Sequence, residues 1–336
     1  MILVTGGTGL VGSHLLYHLA KENNKIRAIY RKNSNLKAVE HVFRYYTEDY
    51  KAVFKKIEWI EADITDVVSL EKAFENVTHV YHAAALVSFN PNDYKLMRKI
   101  NIEGTSNIVN LCIAENVVKL CFVSSIATID KSLQNEFIDE NCEWNSESNN
   151  YGYAITKYGA EMEVWRATQE GVDVVIVNPG VILGAGFWLN GTGKIFHKVY
   201  KGLKYYAEGI TGFVSVKDVV KSMIALMNSN IKNERYILVS ENRSYKALFF
   251  EIADTFKARR PSVKITKLMG SIGWRVFAVI SFFTKNPPVI TRQSAKSIQS
   301  TYRYSSNKIK EALQFEFEPL SSTITEICEL YKRDLK

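Results

Sequence analysis

Cysteine is scarce, four in 336 residues, and Cys112, Cys121, Cys142 and Cys328 form neither a C-x-x-C pair nor a zinc-ligand spacing. That excludes a disulfide scaffold and a cysteine-based metal site, and no metal is expected. Cys112 and Cys121 stand in apolar surroundings and read as small core residues, which suits a reducing compartment. Proline is sparse too, six in the whole chain, so no Pro-rich linker or stalk divides it. No self-similarity recurs at a solenoid or propeller period. Also missing is an apolar run long enough to span a bilayer. The nearest approach, residues 268–283, has Arg275 in its middle. It reads as a pocket-covering helix, with contact at a membrane surface as the sharper alternative. Met1 leads straight into an apolar strand with no basic segment before it, which makes the cytoplasm the expected location.

Basic residues outnumber acidic ones by 43 to 35, a net charge of +8. They are interleaved with acids rather than gathered in a stripe, so the expected partner is a small molecule and not nucleic acid. What is present is ordinary globular material, 46% hydrophobic and 23% charged. It suffices for one large domain with a smaller appendage.

Short apolar runs at 2–4, 26–30, 57–60, 79–82, 120–123 and 174–177 alternate with helical patterns. The first helix sets Leu10, Val11, His14, Leu15, His18 and Leu19 on one face, and further helices are expected at 67–74, 94–115 and 151–169. Residues 31–48 are charged and poorly periodic. Continuously apolar strands alternating with amphipathic helices predict an α/β fold, a doubly wound parallel sheet covered on both faces. Past Asn178 the alternation fails, and 179–212 is Gly-rich and irregular. A helix at 217–227 and a strand at 236–239 read as a return to the sheet. The expected division is a dinucleotide-binding domain of 1–178, rejoined by 213–240, and a substrate domain of 179–212 and 241–336.

Between the first strand and the first helix lies Thr5-Gly6-Gly7-Thr8-Gly9-Leu10-Val11-Gly12. Glycines there let the backbone turn tightly and approach a pyrophosphate seated on the helix N-terminus. The position, more than the glycines themselves, makes this a dinucleotide site. An acid at the end of the second strand would accept the ribose 2′-hydroxyl of NAD. Arg31-Lys32 stands there instead, cations suited to the 2′-phosphate of NADP, with NAD as the other possibility. Asp63 and Ile64 after the third strand are placed to flank the adenine. Ala83, Ala84 and Ala85 after the fourth offer small side chains where the cofactor lies close.

Tyr153 and Lys157 are four apart in a helical pattern and share a face. A phenol is a poor base at neutral pH, and a nearby ammonium would lower its pKa. Ser125, at the C-terminal end of a strand, is placed to hydrogen-bond a reacting oxygen.

Together these motifs resemble the extended short-chain dehydrogenase/reductase family, the NAD-dependent epimerase/dehydratase group, over essentially the whole chain. T-G-x-x-G-x-x-G stands as Thr5 to Gly12 and Y-x-x-x-K as Tyr153 to Lys157. Phe122-Val123-Ser124-Ser125 resembles the family's serine strand, Asn101-Ile102-Glu103-Gly104-Thr105 its N-x-x-G-T helix, and Phe213 to Asp218 its F-V-x-V-x-D segment. The resemblance implies that Tyr153 is the acid/base, that Lys157 also binds the nicotinamide ribose and that Ser125 orients the carbonyl. It sets Ser124 and Asn101 beside the cofactor, and Asn178-Pro179-Gly180, with Val181, in the nicotinamide-contacting loop. Asn178 departs from the Arg-Pro-Gly of sugar-nucleotide members and, with Arg31, is closer to the dihydroflavonol-reductase-like branch. A homodimer through the helices at 94–115 and 151–169 is implied as well.

Leu86-Val87-Ser88-Phe89 and Phe187-Trp188 could wall a substrate pocket, although such residues are as often plain core. Lys194, Lys198, Lys201 and Arg243 could receive a diphosphate. The leading expectation is an NADP-dependent oxidoreductase acting on a carbonyl/alcohol pair of a small, partly apolar substrate. A sugar or nucleotide-sugar epimerase or dehydratase with a tightly held cofactor is the alternative, and a non-catalytic dinucleotide sensor the third reading.

Overall fold

The computed structural model describes residues 1–22, 25–130, 136–147, 150–266, 268–275 and 291–335. Its strands, in chain order, are β1 (Ile2–Thr5), β2 (Ile26–Tyr30), β3 (Ile57–Glu61), β4 (His79–His82), β5 (Lys119–Val123) and β6 (Asp173–Pro179). Then come β7 (Val181–Leu183), β8 (Tyr205–Tyr206), β9 (Ile210–Ser215), β10 (Glu234–Leu238), β11 (Glu241–Ser244) and β12 (Val263–Lys264). Seven of them form one sheet in the order β3-β2-β1-β4-β5-β6-β10, parallel throughout. The order reverses between β1 and β4, so a crevice opens beyond their C-terminal ends.

Both faces of this sheet are covered, which is why its strands are apolar without alternation. In β5 all five residues are buried. Cys121 and Val123 join α1 (Leu10–Lys21) and the helix Val216–Asn228 in one core. Leu120 and Phe122 face the other, with α4 (Val67–Phe74), α6 (Gly104–Ala114) and α7 (Gly152–Gln169). A fully buried leucine or phenylalanine contributes about 1.5–3 kcal/mol through removal of its surface from water. A third core gathers Phe213, Leu248, Ile252, Ile324, Cys328 and Tyr331 from the later part of the chain. Asp334 ties that part to the helix α2 (Leu36–Phe43), accepting from Trp188 Nε1 at 2.8 Å and pairing with His41 Nε2 at 2.9 Å.

The structure departs from the sequence expectations in three places. The charged stretch after β2 contains α2, and α3 (Tyr50–Phe54) follows it. The Asn35 side chain caps α2 by accepting from the Ala38 amide. The helix expected along 94–115 is interrupted: α5 (Tyr94–Met97) passes into a π-helical turn, Arg98–Glu103, before α6. Such turns recur at functional sites. Residues 179–212 are more regular than their glycines suggest, because β9 pairs with β7 on one side and β11 on the other in a small second sheet. Residues 268–275 are helical with Leu268 and Ile272 exposed, whereas 276–283 lie outside the described residues. Among the described residues no helix is long and apolar enough to cross a membrane. The strand read at 236–239 is β10, which pairs in parallel with β6.

Candidate active site

The glycine turn closes on itself with almost no spare volume. Gly6 has φ +70°, and a Cβ on it would lie 2.6 Å from the Ala83 and Ala84 backbone. A Cβ on Gly12 would lie 2.2 Å from the Gly6 carbonyl oxygen. Gly9 differs, since a Cβ there would meet only that same oxygen, at 3.4 Å. Its other side is open, and no side chain caps α1 behind it. Gly9, at the uncapped N-terminal end of α1, lines a cavity, an arrangement that fits the pyrophosphate of a dinucleotide.

That cavity, about 260 Å³, runs along the C-terminal ends of β1, β2, β3 and β4. Gly6, Thr8 and Gly9 form its floor, and Ala83, Ala84 and Ala85 one wall. Arg31, Asp63 and Ile64 stand at the far end with Tyr30, Ser34 and Ala62. Arg31 is exposed, and its guanidinium has no carboxylate partner among the described residues. Its amide donates to Ser34 Oγ at 3.0 Å. One Asp63 carboxylate oxygen is engaged by the Thr65 amide and hydroxyl at 2.9 and 2.8 Å.

Behind the turn a hydrogen-bond chain fixes a buried histidine in one tautomer. Thr105 Oγ1 donates to the Asn101 carbonyl at 2.6 Å, so it can only accept from His82 Nε2, 2.9 Å away. His82 Nδ1 is then unprotonated and accepts from Thr5 Oγ1 at 2.6 Å, while Thr5 in turn accepts from the Ala84 amide. Burial, aided by the nearby Lys157 charge, holds the His82 pKa down at about 3. The Asn101 side chain clamps the next segment. It accepts from the Leu86 amide at 2.7 Å and donates to the Leu86 carbonyl and Thr156 Oγ1, both at 3.0 Å.

At the other end of the crevice, Ser125 follows β5 in extended conformation and its Oγ accepts from the Ala127 amide at 3.1 Å. That leaves its proton for another acceptor, and the Tyr153 phenol is hydrogen-bonded to it. Burial raises the Tyr153 pKa above the usual phenol value, and the Ser125 contact opposes this. Lys157 is buried, donates to the Val123 carbonyl at 2.8 Å and lies 4.1 Å above the Phe122 ring centroid. Burial pushes its pKa down to about 7, opposed by the Glu161 carboxylate one turn on. Burial thus outweighs the simple expectation of a lysine lowering the phenol's pKa: both groups are biased toward their neutral forms.

The remaining sequence-derived positions sort by distance from the cavity. Leu10 points toward Gly184, Val11 packs on a sheet core, and Gly7 lies against Leu16. Ser124 and Asn178 are buried, and both side chains donate to Glu161, at 2.5 and 3.0 Å. Pro179 ends β6, Gly180 alone separates it from β7, and Val181 opens β7. Leu86 lines the cofactor cavity, and Ser88 and Phe89 line a second cavity. Trp188 belongs instead to the third core, edge-on to Tyr331. Arg243 is held by Glu241 and Glu251. Sequence reasoning missed His82, Glu161, Ser34 and Ile100, none of which sits in a recognisable local motif.

The model of the NAD-dependent epimerase/dehydratase family matches residues 2–238. The chain belongs to that family. It is an NAD(P)-dependent enzyme of the extended short-chain dehydrogenase/reductase type. Among its relatives are sterol demethylase protein B of Methylococcus capsulatus, 26% identical over 317 residues (93% of this chain, 92% of that one). Anthocyanidin reductase of Arabidopsis thaliana is 27% identical over 328 residues (90% and 89%). The UDP-glucose 4-epimerase of Thermotoga maritima, solved with UDP-glucose, shares the fold at a TM-score of 0.79 and 18% identity, covering 100% of this chain and 99% of its own.

The buried histidines give this enzyme a defined acid response. Burial lowers His14 from 6.5 to about 4 and His82 to about 3. Above pH 6.5 both are neutral whether the chain is folded or not. Below it the unfolded chain takes up protons that the folded one refuses. Each histidine is expected to remove about 1.4 kcal/mol of stability per pH unit as pH falls toward its folded value. Urea unfolding at a series of pH values checks this, and an unchanged slope in His82→Gln would contradict it.

Proposed function

We infer that the enzyme is an NADP-dependent reductase or dehydrogenase interconverting a carbonyl and an alcohol on a small, partly apolar substrate. The observation that carries this reading is the second cavity, about 480 Å³, at the N-terminal end of the helix bearing Tyr153. Phe89, Pro91, Tyr94, Met97, Tyr151 and Ile155 line it, and Arg292 is the one charged lining residue among the described residues. A nucleoside diphosphate would want several cations. Lys194, Lys198, Lys201 and Arg243 are absent from this lining, and Arg243 is already paired. The name of the Arabidopsis thaliana relative, a reductase, agrees with this side of the family.

A dinucleotide in the first cavity supplies the hydride donor or acceptor. The protein's own groups manage the oxygen. Tyr153, held protonated by burial, gives its proton to the carbonyl oxygen in reduction, and Ser125 Oγ–H orients that oxygen. Lys157 restrains the charge left on the phenol, and a ribose hydroxyl is its further partner. Arg31 and Lys32, with Ser34 beside them, receive a 2′-phosphate, and no acidic residue at the end of β2 repels it.

Turnover of NADPH with a panel of carbonyl compounds tests the activity. Tyr153→Phe is expected to lower kcat by about 10²–10⁴-fold; full turnover in that variant would sink the assignment, and exchange without net NADPH consumption would favour the epimerase. Arg31→Asp is expected to weaken NADPH binding at least about tenfold, a loss of about 1.4 kcal/mol, with NADH binding unharmed. Equal losses for both dinucleotides in a titration would argue against the phosphate contact. We further infer a homodimer through the helices α5, α6 and α7, on which Leu96, Ile155 and Met162 are exposed. Sedimentation should give a dimer at micromolar concentration and a monomer for Met162→Glu.

A further inference from the structure

Glu161 has no place in the chemistry described above, yet it is the most completely enclosed carboxylate in the neighbourhood, fully buried midway along the catalytic helix. Its Oε2 accepts from Ser124 Oγ at 2.5 Å, Thr128 Oγ1 at 2.9 Å and Asn178 Nδ2 at 3.0 Å. Its Oε1 accepts from the Arg235 guanidinium at 3.3 Å. Those donors come from the exit of β5, the turn after it, β6 and β10. Each of these elements except β10 supplies a residue next to, or within, the site. Ser124 precedes Ser125, Thr128 Oγ1 shares its one proton between Glu161 and the Ser125 carbonyl, 2.9 Å from each, and Asn178 Nδ2 lies 3.2 Å from that same carbonyl.

We propose that Glu161 is a positioning residue for the catalytic pair, holding Lys157 in its cationic form and fixing the Ser125 backbone, without touching substrate or cofactor itself. The proposal rests on the assignment of Tyr153 and Lys157 given above.

The electrostatic part follows from what surrounds the lysine. Lys157 and Glu161 are one turn apart on the same helix face, a spacing at which opposite charges attract. From β4, the neutral His82 stacks on the Phe122 ring, 5.4 Å between ring centroids. From β5 come the Val123 carbonyl and the Phe122 ring. The Tyr153 phenol is uncharged at neutral pH because burial raises its pKa. From β10 comes Arg235, a second cation, whose remaining donors go to the Glu140 and Cys142 carbonyls. The Glu140 carboxylate itself accepts from the Ile237 amide. Among these groups Glu161 is the anion placed to favour the Lys157 charge. The backbone part follows from the three donors on one oxygen, which tie β5, β6 and the intervening turn to a single fixed point.

Glu161→Gln separates the two parts, because it keeps an acceptor oxygen for Ser124 and Thr128 while removing the charge. The direct reading is the Lys157 titration in ¹³C-lysine-labelled, dinucleotide-free protein, with the Cε signal assigned by its loss in Lys157→Arg. Its midpoint is expected to fall by about one pH unit, a tenfold drop in proton affinity. In turnover, the alkaline limb of the kcat profile should move to lower pH by a similar amount, with KM nearly unchanged. Should Glu161→Gln fail to fold, Glu161→Gln combined with Arg235→Met removes the guanidinium that would lose its carboxylate and is read the same way. A Lys157 midpoint at or above the wild-type value in a folded variant overturns the proposal, and so does a uniform loss of kcat with no movement of the limb. Because the midpoint is read without substrate or dinucleotide, it decides the role of Glu161 whatever Tyr153→Phe does to turnover.

Discussion

The rest of the structure depends on the backbone approach at the glycine turn. Where β1 leaves the sheet, the chain must reverse against the exit of β4 and start a helix within a few residues. A single Cβ at Gly6 or Gly12 would overlap backbone atoms at 2.6 and 2.2 Å. Backbone, unlike a side-chain tip, cannot move aside cheaply. The same closeness brings Thr5 alongside His82 in register, and that contact carries the turn's position into the interior. Through His82 and Thr105 it reaches the π-helical turn, and through Asn101 it returns to Leu86 on the cavity wall. The floor and the wall of the cofactor cavity are thus parts of one hydrogen-bonded circuit.

Burial makes opposite demands on the two basic groups beside that circuit. His82 serves as a neutral relay, so its low pKa of about 3 costs nothing at neutral pH. The role proposed for Lys157 needs its charge, and burial alone works against that. Phe122 stands between them, stacked on the imidazole and carrying the ammonium on its face. The ring quadrupole favours a cation, and a desolvated contact of this kind is worth about 2 kcal/mol. The Glu161 carboxylate one turn on opposes burial further, and the Lys157 pKa stays at about 7.

Much of this was legible in the sequence, for a physical reason. A parallel sheet covered on both faces forces unbroken apolar strands, and ligands in such sheets sit beyond the strand ends. Reading the residue after each strand therefore reached Arg31, Asp63, Ala83 and Ser125 without any knowledge of contacts. What stayed hidden are the partners made across long sequence separations. Thr5 meets His82 across 77 residues and Glu161 meets Arg235 across 74. No local period records such pairs. The π-helical turn was hidden differently: its residues carry ordinary helix propensity, and its register is set by Asn101 reaching Leu86 and Thr156 rather than by its own sequence. Ser124 and Asn178 show the remaining kind of gap. Their positions beside the site were readable, yet their side chains point inward to a carboxylate that no motif announces.

The two cavities also explain why chemistry and substrate choice are separable in this fold. The cofactor cavity is walled by backbone and small side chains at the ends of β1 to β4, so its shape is bound to the sheet and tolerates little change. The second cavity is walled by side chains from the segment after β4, from α5 and from the start of α7, with Arg292 and Gln293 arriving from the far end of the chain. Loops and helix ends can exchange those side chains without disturbing the sheet. On the function proposed above, an apolar lining with one cation among the described residues would select a substrate with an apolar body, because a diphosphate left without donors would lose more in desolvation than the cavity could return.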